Sequence, residues 1–164
     1  MSYVDTSVIV AALDPTDPRR KRAKAILERE GVKIASELTL MELASALSRR
    51  TELLSELASK LGLNKELMEV VTLLYILKRF NLEYRVLGTH AKVTVFGKVY
   101  APIATAMELS PKLRLKTLDL LHAAYLKLLK ERGEPVDTLV TADEDFKRVE
   151  KELREAVGVN VYLM

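Results

Sequence analysis

The sequence predicts an α/β fold with a mainly parallel sheet. Short apolar runs at 3–4, 32–35, 136–140 and 157–163 have the length of buried strands. Longer stretches with apolar residues at helical spacing separate them. No Gly/Ser-rich stretch, low-complexity tract or repeat interrupts the alternation, so residues 1–164 read as one domain.

The elements follow in order. Tyr3-Val4 is a strand that runs into Asp5, and Thr6–Leu13 continues as a short helix. Asp14-Pro15-Thr16-Asp17-Pro18 is a loop in which Asp17 is placed to cap a helix and Pro18 to open it. That helix is expected to reach about Arg29, where Gly31 stops it. After the strand at 32–35, helices are expected at 39–50 and 52–61, the second ended by Gly62. A third, at 65–78, gathers Leu67, Val70, Val71, Leu74 and Leu77 on one face. From 82 to 86 and from 93 to 99 the apolar period drops to two, with Gly88-Thr89-His90 between, which predicts a β-hairpin insertion near 80–100. Helix resumes near Ala101, is expected to break around Ser110-Pro111, and restarts at Thr117 to run to about Arg132. Gly133-Glu134-Pro135 is a turn, and a helix at 143–155 lies between the last two strands.

Composition removes several classes of function. Hydrophobic residues make up 49% and charged residues 30%, enough to build a core and too apolar for a disordered chain. The absence of cysteine excludes a disulfide scaffold, a thiolate zinc site and a cysteine nucleophile. With only His90 and His122, a histidine-rich metal site is excluded too. The chain opens without a basic stretch before its apolar run, and its longest apolar stretch is too short to span a membrane. A cytoplasmic location with no membrane partner is therefore expected. The net charge of +3 permits a nucleic-acid partner without demanding one. Scattered aromatics offer no base-stacking platform.

Four carboxylates stand at junctions between elements: Asp5, Glu42, Asp119 and Asp143. Each alone reads as a helix cap or first-turn charge, and Thr39 with Glu42 fits a capping box. Together they carry more. Asp5 and Asp143 each follow an apolar strand, and ligands of open parallel sheets bind outside strand ends where the strand order reverses. If those strands are neighbours, the acids face one crevice, and helix starts bring Glu42 and Asp119 to it. Four carboxylates in one cleft repel each other and call for a cation. Oxygen ligands favour Mg²⁺ or Mn²⁺, which suits metal-assisted phosphoryl chemistry. A phospho-accepting receiver domain and an Asp-x-Asp phosphatase also gather acids at strand ends. Both expect an acid pair after the first strand, whereas Thr6 and Ser7 follow Asp5.

Four blocks together resemble the PIN-domain ribonucleases, and most of all the toxin subunits of VapBC-type toxin–antitoxin pairs. They are Tyr-Val-Asp5-Thr6-Ser7-Val-Ile, Leu-Thr39-Leu-Met-Glu42-Leu-Ala, Thr117-Leu-Asp119-Leu-Leu-His122-Ala-Ala and Leu-Val-Thr141-Ala-Asp143-Glu-Asp145-Phe146. The resemblance implies a three-layer α/β/α domain on a parallel five-stranded sheet. It implies a Mg²⁺- or Mn²⁺-dependent endoribonuclease whose metal-holding, catalytic quartet is Asp5, Glu42, Asp119 and Asp143. Thr6, Ser7 and Thr141 would support the site through their hydroxyls, with Asp145 as an additional acid. RNA is the implied substrate, an antitoxin and a second copy the implied partners. A PIN nuclease of RNA processing or decay, and a catalytically silent RNA- or protein-binding module, are the alternatives.

The long interval between Glu42 and Asp119 departs from compact toxins, and the expected hairpin fills it. It reads either as a dimer arm or RNA-contacting flap bearing Arg85, His90, Lys92 and Lys98, or as a solvated excursion. His122 is neighbour to Asp119 on one helical face, yet its apolar surroundings favour a packing role. Arg19, Arg20 and Arg22, and separately Lys112, Arg114 and Lys116, are candidate RNA-phosphate contacts. The leucines at 43, 47, 54, 57 and 61 belong to the core, to a dimer interface or to a groove for an antitoxin helix.

Overall fold

The computed structural model describes residues 1–88 and 90–164. Five parallel strands form the central sheet: β1 (Ser2–Val4), β2 (Lys33–Ser36), β3 (Leu82–Arg85), β6 (Thr138–Thr141) and β7 (Asn160–Leu163). Their order is β3-β2-β1-β6-β7. The chain builds outward from β1 first to one side and later to the other. The strand order therefore reverses between β1 and β6, which pair with Tyr3 opposite Leu139 and Val4 opposite Val140.

Alternation along β1 sends adjacent side chains to opposite faces. Tyr3 enters the core under α6 (Ala101–Leu113), α7 (Thr117–Glu131) and α9 (Glu150–Val157), with Leu113, Leu126 and Leu153. Val4 enters the other core with Ile9, Leu27, Leu43 and Ile76, from α1 (Thr6–Leu13), α2 (Arg20–Leu27), α3 (Glu37–Ser48) and α5 (Lys65–Arg79). Helices thus cover both faces in three α/β/α layers. A smaller cluster of Leu54, Ala58 and Met68 joins α4 (Thr51–Leu61) to α5.

Several elements differ from the sequence expectation. The run at 82–86 is no hairpin strand. As β3 it pairs in parallel with β2, Leu82 opposite Lys33, and supplies the fifth strand of the sheet. The antiparallel hairpin is shorter, β4 (Ala91–Thr94) with β5 (Gly97–Tyr100), and turns at Val95-Phe96. Thr89, placed by the sequence between the two runs, lies outside the described residues. Three of the four basic residues assigned to this insertion are engaged by their own chain. Arg85 pairs with Glu83 and Glu134, Lys92 with Glu108, and His90 Nδ1 is 3.0 Å from an Arg132 nitrogen.

Helix α2 starts at Arg20, two residues beyond the expected Pro18, because Asp17 takes the Arg19 amide in a turn instead of capping the helix. The α3 cap is Ser36, whose hydroxyl accepts from the Thr39 amide, so Glu42 does not close a capping box with Thr39. Helix α6 runs through Pro111, which costs one interior bond near its end, and stops only at Arg114. The helix expected at 143–155 divides at Val149 into α8 (Glu144–Arg148) and α9. The predicted apolar face of α5 is not the buried one: Leu67, Val70 and Leu74 are exposed and Val71 and Leu77 half-buried, whereas the buried residues are Met68 and Ile76. No described helix is long and apolar enough to cross a membrane.

Candidate active site

Asp5 lies one residue past β1 and Asp143 two residues past β6, so the strand reversal brings both acids to the same sheet edge. Both also cap helices. The Asp5 carboxylate accepts from the Ser7 amide, and Asp143 accepts from the Asp145 amide at 2.8 Å. The second turn of α3 and the first turn of α7 deliver Glu42 and Asp119 to this edge. All four acids line one cleft of about 580 Å³, together with Thr6, Ser7, Arg49 and His122.

Within the cleft the acids form two groups. Asp5, Glu42 and His122 bring ligand atoms within 4.8 Å of one another, and so do Asp119, Asp143 and Asp145. In the first group Asp5 is held hard. Its Oδ2 accepts from the hydroxyls of Ser7 and Thr141, each at 2.6 Å. Those hydroxyls tie in the far strand as well: Ser7 Oγ accepts from the Ala142 amide, and Thr141 Oγ1 from the Asp143 amide. Glu42 accepts from the Thr6 hydroxyl and lies 2.9 Å from His122 Nε2. Burial alone would raise the Glu42 carboxyl, but the hydrogen bond and charge of His122 hold it below its usual range.

His122 is the functional residue that sequence reasoning left among the packing residues. It is buried, as expected, but its Nε2 sits between Glu42 and Asp5, 3.5 Å from the latter. Its Nδ1 meets the Tyr3 hydroxyl at 2.7 Å, and that hydroxyl also meets Ser36 Oγ at 2.7 Å. Burial would lower the imidazole. The Tyr3 oxygen and the Glu42 and Asp5 carboxylates outweigh it and raise the ring well above its usual value. When the ring is protonated both its nitrogens donate, and the Tyr3 hydroxyl, accepting from Nδ1, donates its own hydrogen bond to Ser36 Oγ. The i, i+3 spacing from Asp119 was the only signal in the sequence.

The second group is left less balanced. Asp145 is held below its usual range by the Lys116 ammonium, 3.1 Å away, and also meets Arg148 at 3.2 Å. Asp119 is pushed up to about 6, first by burial and then by the charges of Asp143 and Asp5. Its Oδ2 is buried without a hydrogen-bond partner.

This donor set fits a divalent cation. It is made of carboxylate oxygens, one of them orphaned, and the mutual repulsion that raises Asp119 is what a bound cation relieves. The candidate phosphate contacts divide differently. Lys116 pairs with Asp145 of the second acid group, and Lys112 and Arg114 line a hollow with Arg148, which also pairs with Asp145, whereas Arg22 donates to the Leu163 carbonyl and Arg19 pairs with Asp17 and reaches the Ala142 carbonyl.

A model of the PIN domain matches residues 2–152. The chain belongs to the PIN domain family. No curated protein matches. Two solved structures share the PIN fold with this chain. One is a chain of VapBC2 from Rickettsia felis, solved bound to a DNA fragment of its promoter. It is 19% identical at a TM-score of 0.56, over 99% of this chain and 98% of that one. The other is VapC20 of Mycobacterium tuberculosis, described as a Sarcin-Ricin loop cleaving toxin. It is 18% identical at a TM-score of 0.56, over 90% of this chain and 94% of that one.

Proposed function

We propose that this PIN domain is a Mg²⁺- or Mn²⁺-dependent endoribonuclease and the toxin of a toxin–antitoxin pair. The observation that carries the reading is the convergence of Asp5, Glu42, Asp119 and Asp143 on one cleft at the strand-order reversal, with Asp119 Oδ2 left without a donor. A divalent cation held by these carboxylates would supply a water of lowered pKa and offset charge on the phosphate.

The chain's own groups do the rest. Ser7 and Thr141 fix the Asp5 carboxylate between β1 and β6, and His122 holds Glu42 and Asp5 apart from mutual repulsion. Asp119 and Asp143 present open acceptor positions, so the donor hydrogens of an attacking water can be oriented there. Water adds at phosphorus and one P–O ester bond breaks, giving a phosphomonoester and a hydroxyl. Asp145, neutralised by Lys116 and Arg148, closes the edge of the cleft with little added repulsion.

The toxin assignment is supported by the similarity to VapC20 and VapBC2, and by a second surface. An apolar groove of about 440 Å³ lies between α1, α3, α4 and α5, lined by Leu43, Leu47, Leu57, Val71 and Tyr75. It has the character expected for an amphipathic antitoxin helix. The test is cleavage of several RNAs by the purified protein with Mg²⁺ or Mn²⁺, with EDTA and Asp5→Asn as controls. Cleavage lost in both controls is expected. A folded protein that cleaves equally well with EDTA, or as Asp5→Asn, overturns the assignment, and one that cuts no RNA moves it to a silent binding module. Co-purification with the product of an adjacent short gene tests the toxin assignment.

A further inference from the structure

Arg114 ends α6 at φ = 50°, in the left-handed region. An L-residue there costs about 1 kcal/mol, and such caps favour glycine or asparagine. The Arg114 guanidinium has no hydrogen-bond or ion-pair partner among the described residues, so no side-chain contact offsets that cost. The Lys112 ammonium, two residues back, is equally unpaired among those residues. Both face an open hollow of about 340 Å³ whose other wall carries Arg148, with Glu152 as the one acid in its lining.

The hollow connects to the second acid group through one ion pair. Arg148 reaches Asp145 at 3.2 Å, and Asp145 lies with Asp119 and Asp143 in the second acid group. Excess negative charge in the cleft thus gives way within one side chain to excess positive charge beside it. A polyanion that places one phosphate among the carboxylates, through a cation, presents its neighbouring phosphate to the hollow. The Arg19 and Arg22 guanidinium groups are bonded to Asp17 and to backbone carbonyls, whereas the Lys112 and Arg114 side chains have no partner among the described residues.

We propose that Lys112, Arg114 and Arg148 form a phosphate-binding subsite that holds the RNA strand next to the scissile bond. The proposal rests on the nuclease reading above. It adds Arg148 to the contacts expected from sequence, leaves Lys116 with Asp145, and sets Arg19 and Arg22 aside.

The test is fluorescence anisotropy with a labelled 20-nucleotide single-stranded RNA of mixed sequence, in EDTA to suppress cleavage, across a KCl series. Combined Lys112→Ala, Arg114→Gly and Arg148→Ala should weaken binding about tenfold and reduce the log–log salt slope by about 2, since each lost contact to a single strand removes about 0.7. Arg114→Gly relieves the backbone, so that single variant should melt at or above the wild-type temperature while still losing affinity. A control triple, Lys60→Ala, Lys65→Ala and Lys78→Ala on α4 and α5, removes the same charge away from the hollow and should leave affinity within about twofold. Wild-type affinity and slope in the first triple overturn the subsite and leave the nuclease reading standing. Equal losses in both triples also overturn it, by reducing the effect to net charge. A wild-type protein that neither binds nor cleaves RNA overturns the nuclease reading, and the subsite with it.

Discussion

Asp119→Asn should stabilise the metal-free protein while removing its response to divalent cations. Burial and the charges of Asp143 and Asp5 push the Asp119 carboxyl from 3.8 up to about 6. A carboxyl raised on folding favours the native state fully below 3.8, and that support is lost as pH rises through about 6. At pH 7.5 the ionised group therefore works against the fold. Allowing for solvent at a half-buried side chain, the penalty is about 1–2 kcal/mol. The neutral amide escapes it and can donate toward Asp143. For a chain of this size the melting temperature should rise by about 3–6 °C in EDTA. At pH 4 the gain should vanish, because the wild-type carboxyl is already protonated. Added Mg²⁺ should stabilise the wild type by mass action and do little for the variant. Thermal melts at both pH values, with EDTA and with Mg²⁺, read all of this. A variant no more stable than wild type at pH 7.5 in EDTA, or one whose gain persists at pH 4, would refute the account of the cleft as strained by its own charge.

Three further outcomes follow from the same geometry. His122→Asn leaves Glu42 and Asp5 without their counter-charge and should cost about 3 kcal/mol in metal-free protein, measured by urea unfolding. Because folding raises the imidazole, its contribution is full below 6.5 and fades as pH climbs above that, so the deficit should shrink at alkaline pH; a pH-independent deficit would contradict the pairing. Tyr3→Phe removes the hydroxyl shared by His122 Nδ1 and Ser36 Oγ and should cost about 1–3 kcal/mol, with the His122 ring titrating lower by NMR. Gly158→Ala forces a side chain into a backbone at φ = 79° and within 3.2 Å of Lys130 Nζ, which donates to the Gly158 carbonyl. It should lower stability by about 1–2 kcal/mol, and a neutral result in a thermal melt would show that the α9 cap is not fixed by that contact.

The parts of the fold legible in the sequence were those written locally. Asp5 and Asp143 could be placed at strand ends because a short apolar run followed by a capping acid is a local pattern, and the strand-reversal rule then put them in one crevice. The β3 strand was misplaced because parallel pairing with β2 leaves no mark near residue 82; its period-two pattern fits a hairpin equally well. The stripe on α5 identified an apolar face but not what covers it, and Val70 and Leu74 on that face are exposed. Glu42 carried two explanations until Ser36 was seen to take the capping role, which frees the carboxylate for the cleft. His122 was the hardest case. A buried histidine among alanines and leucines looks the same in sequence whether it meets a backbone carbonyl or two carboxylates of a cleft.

The distribution of charge compensation says where the cleft needs a cation most. Asp5 and Glu42 are already served by this chain, through one buried imidazole and three hydroxyls. Asp145 is served by Lys116 and Arg148. Asp119 and Asp143 carry no ion pair among the described residues, and Asp119 keeps the only buried carboxylate oxygen among them without a hydrogen-bond partner. The protein has neutralised the acids that flank the centre and left the centre itself negative. Such an arrangement keeps the fold stable without metal, since most of the repulsion is absorbed, while the remaining attraction is concentrated at two carboxylates. Had all the acids been paired, a cation would gain little on entering. Had none been paired, the penalty worked out for Asp119 would recur at each carboxylate and exhaust a large part of the few kcal/mol by which a domain of this size stays folded.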